Sequence, residues 1–250
     1  MIPPETADRR QRKRQERRDA LLDRAADLVE ERGVGGLSMA ALAEAADYAT
    51  ASLYTYFPSR TALVAALQER ALRVLVDVGE VHFAAWQAVS GPAPSSRQRR
   101  VDALARLWGF AHLFLTAPEH HPREFRLQQE MLVAPVAEED GASDAVIILA
   151  MTVLDLPRRL LASAAEVRAL DPERELRNAA GDPVDGPMAR TLTWVTAMNG
   201  ALLIDRLAVG APVPGVVLGH EQTLGLLRGW GADPQLLDEA EAVAGRWDAP

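Results

Sequence analysis

The 250-residue chain contains no cysteine. That absence excludes structural disulfides, thiolate metal sites and every enzyme built on a cysteine nucleophile. No uninterrupted apolar run reaches the roughly 18 residues that a bilayer-spanning helix needs, so no membrane association is expected. The first residues, MIPPETADRRQRKR, are charged with no apolar segment behind them; no signal peptide is expected, and the expected location is cytoplasmic. The signatures G-x-S-x-G, H-E-x-x-H, the Walker loop and the dinucleotide fingerprint are all missing. With no strand pattern either, neither an enzyme nor a cofactor or resident metal is expected. The segment EHH at 119–121 with Glu124 reads as a solvated turn rather than a metal site. Lysine is almost absent, one against 26 arginines, and there are only three tyrosines.

What is present is unevenly placed. The net charge is −8, which as an average argues against a polyanionic partner. Residues 1–60 nevertheless hold ten basic and ten acidic side chains, so the whole deficit falls on 61–250. Within 9–18, RRQRKRQERR, seven positive charges face one negative, including Arg9, Arg10, Arg12, Lys13 and Arg14. So dense a block does not pack in a core; it reads as an interaction arm over 1–18. All three tyrosines, Tyr48, Tyr54 and Tyr56, fall within nine residues, interleaved with Thr50, Ser52 and Thr55.

The helical periodicity gives these residues a frame. Leu21, Leu22, Ala25, Leu28 and Val29 repeat at helical spacing, and Gly33 is placed to end that helix. Ser38 is a good N-cap for MAALAEAA. A break at DYA follows, and TASLYTYF resumes a helix with Leu53 and Phe57 inward and Pro58 at its end. Ser59 caps a long fourth helix running through RTALVAALQERALRVLVDVGEVHFAAW. Two short helices joined by a tight turn form a helix-turn-helix. The outward face of the second carries Thr50, Ala51 and Thr55, short groups that let a backbone approach a major groove closely. Flanking hydroxyls, those of Tyr48 among them, suit phosphate oxygens.

The stretch GLSMAALAEAADYATASLYTYFPSRTALVAAL resembles the helix-turn-helix region of the TetR (tetracycline-repressor) family of bacterial regulators. The run Leu53-Tyr54-x-Tyr56-Phe57 with Pro58-Ser59-Arg60 is its most specific part. The resemblance implies an all-α fold: a three-helix DNA-binding domain at 19–62 and a larger helical domain for effector binding and dimerisation at 63–250. It implies that Thr50, Ala51 and Thr55 face base edges, while Ser38, Ser52, Tyr54, Tyr56 and Arg60 contact phosphates. Two positions depart from the family pattern. Asp47 stands where glycine is usual, at a turn needing positive φ, which aspartate tolerates at about 1 kcal/mol. Ala49 stands where a Ser or Thr cap is usual, leaving Thr50 or Asp47 to cap instead. No Arg or Asn on the recognition helix can make a bidentate purine contact. Specificity is therefore expected from thymine-methyl contacts and from the arginine arm in an adjacent minor groove.

The remaining chain reads as further helices: Arg97 to about Thr116, one after the PEHHP turn, about 142–170 bent or broken at Pro157, then 187–209, about 219–231 and a terminal helix capped by Asp233. The intervening DPERELRNAAGDPVDG reads as loop. Trp108, His112, Phe125, Met131, Met151, Trp194, Met198 and Asn199 have the composition of an apolar effector pocket with polar anchors, which is equally that of a helical core. Among them His112, within the apolar GFAHLFL, is the best anchor. Ala197, Gly200 and Ala201 permit close helix approach, and Leu203, Leu207, Leu224 and Leu227 supply apolar contact. By the resemblance these would face a second subunit. The expected function is a DNA-binding repressor that holds a palindromic operator as a homodimer and is released by a small, largely apolar ligand. The alternative is a helix-turn-helix regulator without such an effector, an activator or a protein-responsive switch.

Overall fold

A computed structural model of the chain describes residues 4–90, 95–133, 151–173, 175–206, 210 and 212–247. Between Pro4 and Arg32 the sequence has no glycine and no further proline, and Arg, Gln, Lys, Glu, Leu and Ala are strong helix formers. One unbroken helix results, α1 (Pro4–Arg32), and Gly33 ends it at φ +70°. The basic segment 9–18 thus lies within about the first four turns of α1 and is not an arm set apart from it. After a 3-10 turn at Val34–Gly36 come α2 (Met39–Ala46), α3 (Thr50–Leu53) and α4 (Arg60–Ser90). Next are α5 (Ser96–His120), α6 (Pro122–Val133) and α7 (Asp155–Glu166), then α8 (Gly186–Leu203), α9 (Gly215–Gly229) and α10 (Pro234–Ala244). The fold is all-α, as the periodicity implies. Among the described residues the single sheet is a two-stranded hairpin, β1 (Leu176–Arg177) antiparallel to β2 (Pro183–Val184), in the segment expected to be loop. Asn178 makes it possible: its side-chain oxygen accepts from the amides of Ala180 and Asp182, 2.9 Å each, closing the turn.

Three further boundaries differ from the periodic reading. Helix α3 is one turn long, because the Thr55 hydroxyl donates to the Ser52 carbonyl at 2.7 Å and Pro58 bars a helical Phe57. Helix α5 continues past Thr116 through Pro118 to His120. The helix expected to bend or break at Pro157 breaks three residues earlier, at Leu154, and Pro157 lies in the first turn of α7, where a missing amide hydrogen costs nothing. The earlier part of that expected helix, 142–150, lies outside the described residues.

By contact the chain forms two units. The first comprises the described residues up to Val74 together with α6; the second comprises Leu75–His120 and the described residues from Met151 onward. The first unit is built around Leu21, Leu22, Ala25, Leu28 and Val29 of α1. Leu37, Leu42, Leu53, Phe57, Leu63, Leu67 and, from α6, Leu127 complete its core. Arg123 of α6 pairs with Glu30 and, at 3.0 Å, with Asp27 of α1. The pair with Glu30, and secondarily the charge of Asp27, raise the Arg123 pKa above its ordinary value. In the second unit α5 is central, with Leu104, Leu107, Ala111 and Leu115 sealed and α7, α8, α9 and α10 packed against it. Gly109 of α5 lies 3.1 Å from the Trp86 ring and 3.3 Å from Trp247 when a Cβ is added. Its missing side chain makes room for those two indoles to stack, 5.6 Å apart and 21° from parallel.

Candidate nucleic-acid interface

The sequence builds the turn of the helix-turn-helix from the expected parts. Ser38 caps α2, its hydroxyl oxygen accepting from the Ala41 amide at 3.0 Å. Asp47 ends α2 in the left-handed region at φ 55°, ψ 47°. The Tyr48 amide then reaches back to the Ala43 carbonyl at 2.9 Å, satisfying one of the last carbonyls of the helix. Ala49 begins α3 with no side-chain cap, so neither Thr50 nor Asp47 takes the capping role.

From that turn the side chains divide cleanly. Leu53 and Phe57 are sealed in the core, at 0% and 1% exposure. Thr50, Ala51, Ser52, Tyr54 and Thr55 are exposed. Tyr48 and Tyr56 are half-buried, resting their rings on the core, as suits an amphipathic phenol. The exposed surface of α3 and the turn after it is therefore hydroxyl-rich, free of acid and, Tyr54 apart, made of short side chains.

Two arginines hold this surface in ways the one-dimensional pattern does not display. Arg60 donates through Nε to the Leu37 carbonyl and through Nη2 to the Val34 carbonyl, 2.6 Å each. It ties the entrance of α2 to the start of α4, so its first task is positioning. Arg14 donates through Nη2 to the Thr55 carbonyl at 2.8 Å, and the Arg18 guanidinium lies 5.2 Å above the Phe57 ring. The basic face of α1 is thereby joined to the recognition segment. The signal was the i, i+4 spacing of Arg10, Arg14 and Arg18, hidden by reading the block as an arm.

The expected effector residues do not converge. Trp194 and Met198 are sealed at 0% exposure, and Asn199 is also buried. The Trp194 indole donates to the Thr223 hydroxyl at 3.0 Å, and Asn199 donates to the Val195 carbonyl at 3.0 Å. These are core positions of the second unit. Met151 is 47% exposed. Phe125 is buried in α6, within the first unit, and the Met131 side chain lies outside the described residues. Trp108 and His112 do meet, around a residue the periodicity missed. His220 of α9 stacks on Trp108 at 4.7 Å and on His112 at 5.5 Å, 4° from parallel. Burial, and secondarily the neighbouring His112, lower the His220 pKa below its ordinary value.

The residues expected at a subunit interface divide as well. Ala201 and Leu227 are wholly sealed in the unit's own core, because they lie on the sides of α8 and α9 that face each other and α5. Gly200 and Leu203 are exposed, Ala197 and Leu224 are half-buried, and Leu207 lies outside the described residues. Besides Leu203, exposed apolar positions in this region are Leu192 on α8, Val213 just ahead of α9 and Val217 in its first turn. No group of three or more metal-ligating side chains occurs among the described residues, and none of their helices is long and apolar enough to cross a membrane.

The comparisons with known proteins agree with this geometry. Residues 21–67 match the model for the bacterial regulatory proteins of the tetR family. No curated protein sequence matches the chain. Among solved structures, a TetR-family regulator from Agrobacterium tumefaciens is 17% identical with a TM-score of 0.56, covering 88% of this chain and all of its own. SmeT, the repressor of the Stenotrophomonas maltophilia efflux pump SmeDEF, is 16% identical at TM-score 0.54, covering 88% of this chain and 92% of its own. RolR in complex with resorcinol is 19% identical at TM-score 0.55, covering 94% and 96%. At these identities the structures speak for the shared fold, while the matched segment contains α2, α3 and the start of α4, the elements that build the surface just described. Residues 21–67 thus carry the helix-turn-helix segment of the bacterial regulatory proteins of the tetR family, on a fold that the chain shares with solved structures of TetR-family regulators.

Proposed function

We propose that this protein is a cytoplasmic repressor that binds a palindromic operator as a homodimer and is released by a small, largely apolar ligand taken up in its second unit. One observation carries the DNA reading: Leu53 and Phe57 are sealed beneath an exposed surface of Thr50, Ala51, Ser52, Tyr54 and Thr55. The helix backbone at Thr50–Ser52, decorated with short groups, can enter a major groove, with Tyr54 at its flank. Thr50 and Ala51 offer methyl groups to thymine. The Thr55 hydroxyl proton is engaged on Ser52, so Thr55 offers its methyl group and oxygen lone pairs. Ser38, Ser52, Tyr48, Tyr54 and Tyr56 supply hydroxyls to phosphates, and the guanidinium donors of Arg60 not used on Val34 and Leu37 can do the same. So few contacts bind weakly alone, and two copies related by a two-fold axis reading successive major grooves supply the rest. The exposed stripe of Leu192, Gly200 and Leu203 with Val217 suits the isologous interface that such a dimer needs.

The ligand-independent reading has support of its own, since Trp194 and Met198, two of the expected pocket residues, are sealed in the core. In that case a protein partner or cellular level sets the output. Selection of binding sites from random DNA by the purified protein tests the DNA reading. The expected product is an inverted repeat with half-sites about one helical turn apart; no enriched sequence would sink it. Native mass spectrometry of the purified protein separates the two regulatory readings, a co-purifying small molecule favouring the ligand-released repressor.

A further inference from the structure

From Arg9 to Ala20 no side chain is buried, and only Arg18 is half-buried. At 100° per residue, Arg9, Lys13, Arg17, Arg10, Arg14 and Arg18 fall within one half of the helix circumference, in that angular order. No acid shares that half. Glu16 and Asp19 lie on the other side, where Asp19 accepts from Gln15 at 2.9 Å. The cationic half contains four like-charge pairs at i, i+4: Arg9–Lys13, Arg10–Arg14, Lys13–Arg17 and Arg14–Arg18. Each is destabilising by about 0.2–0.5 kcal/mol in an isolated helix. The sequence thus concentrates repulsion on one face and leaves it exposed, an arrangement that a polyanion would relieve.

The geometry fixes where that face lies. Arg14 is bonded to the Thr55 carbonyl and Arg18 covers Phe57. A shallow groove of about 560 Å³ runs between them, lined by Arg10, Gln11, Arg14, Gln15, Arg18 and Tyr56. The cationic half-cylinder is therefore continuous with the recognition surface. Its helical form also excludes one use. A helix with its side chains is about 10–12 Å across, whereas the minor groove is about 6 Å wide. The segment cannot enter a minor groove as the helix it is.

We propose that the cationic half of α1 is a second DNA-binding track, which lies along the phosphate ridge flanking each half-site and lengthens the footprint beyond the major-groove contact. The proposal rests on the DNA reading above and adds to it a rigid, sequence-independent grip at the outer edge of the site. Phosphate contacts of this kind set the register and the salt dependence without reading bases.

The test is the triple variant Arg9→Gln, Lys13→Gln, Arg17→Gln, which leaves Arg14 and Arg18 on the recognition segment. Binding is followed by fluorescence anisotropy across a salt series, on the selected operator with long flanks and on the same operator trimmed at the edges of its half-sites. Circular dichroism checks that helix content is retained. On the long duplex the slope of log K against log salt should fall by about 3 per protomer, close to one per contact removed, and affinity at low salt should fall at least 100-fold. On the trimmed duplex the variant and the parent should differ by no more than a few-fold. An unchanged slope on the long duplex overturns the track while leaving the DNA reading intact. So does an equal loss on both duplexes, or a loss abolished by a minor-groove competitor such as distamycin. A parent protein that binds no duplex at all overturns the DNA reading itself.

Discussion

The tyrosines of the first unit and the buried rings of the second are used in opposite ways. In the first, Tyr54 stands half in solvent while Tyr48 and Tyr56 keep their rings on the core. In the second, Trp194, Trp86 and Phe110 are sealed and matched to one another or to a neighbouring ring. A convex reading surface must place its working groups outside and its apolar groups inside, so the alternation that folds the helix also sorts function from support. A concave site is lined by the same apolar and aromatic residues that fill a core, and helical spacing does not tell the two apart.

The strongest way to break the comparison is to remove the support of the first unit alone. Leu53 is fully buried, and Leu53→Ala should cost about 2–5 kcal/mol with loss of DNA binding of at least 100-fold. Thr50→Ala removes an exposed group from the same helix and should leave stability within about 0.5 kcal/mol. Denaturant melts and anisotropy on the selected operator read both. If Thr50→Ala proved as destabilising as Leu53→Ala, the division into inside and outside faces would be mistaken.

Trp194 supplies the corresponding test in the second unit. Trp194→Phe keeps a ring but leaves the buried Thr223 hydroxyl without its indole donor. The expected cost is about 1–3 kcal/mol, with operator affinity unchanged once the protein is folded. Retained stability combined with a lost ligand response would instead place Trp194 in a pocket and restore the reading that its composition first suggested.

How much was legible in the sequence follows the same line. Ser38, Asp47, Ser59 and Asp233 could be read as caps and turn residues because a cap is a local device, with partners two to five residues away. Leu53 and Phe57 could be placed because their spacing is helical and Pro58 stops the chain. Arg60 on Leu37 and Arg14 on Thr55 could not, since each joins residues more than 20 positions apart. The helical state of 9–18 was legible in propensity, but the charge block invited reading it as an arm. Ala201 and Leu227 carried the right residue types for an interface, yet which side of a helix faces outward depends on its neighbours.

His220 sharpens the contrast through pH. Burial, and secondarily the neighbouring His112, hold its pKa below the ordinary value of 6.5, and its Nε2 is buried with no hydrogen-bond partner among the described residues. The unfolded chain therefore takes up this proton before the folded one. The stabilising contribution of the neutral ring is complete above about pH 6.5 and is lost as pH falls below it. His220→Phe retains a ring against Trp108 and should flatten the loss of stability on acidification, measured by denaturant melts at successive pH values. The same acid sensitivity in the variant would assign it to other groups.

The smallest effect expected concerns Asp47, where the turn and the DNA surface meet. Its φ of 55° lies in the left-handed region, where an L-residue is penalised by about 1–2 kcal/mol and aspartate by less. Asp47→Gly relieves that penalty but loosens the unfolded chain, which offsets part of the gain. A net stabilisation of about 0.5 kcal/mol is expected. The charge acts separately: an exposed carboxylate beside α3 repels an approaching phosphate. Asp47→Asn keeps the tolerance of the left-handed region and removes the charge, so it should leave stability nearly unchanged while raising operator affinity a few-fold at low salt. Asp47→Gly should show both effects, and Asp47→Ala a loss of stability with the same gain in affinity. If Asn and Gly raised affinity no more at low salt than at high, the carboxylate would stand clear of the phosphates, and the recognition surface would begin at Tyr48 rather than at the turn.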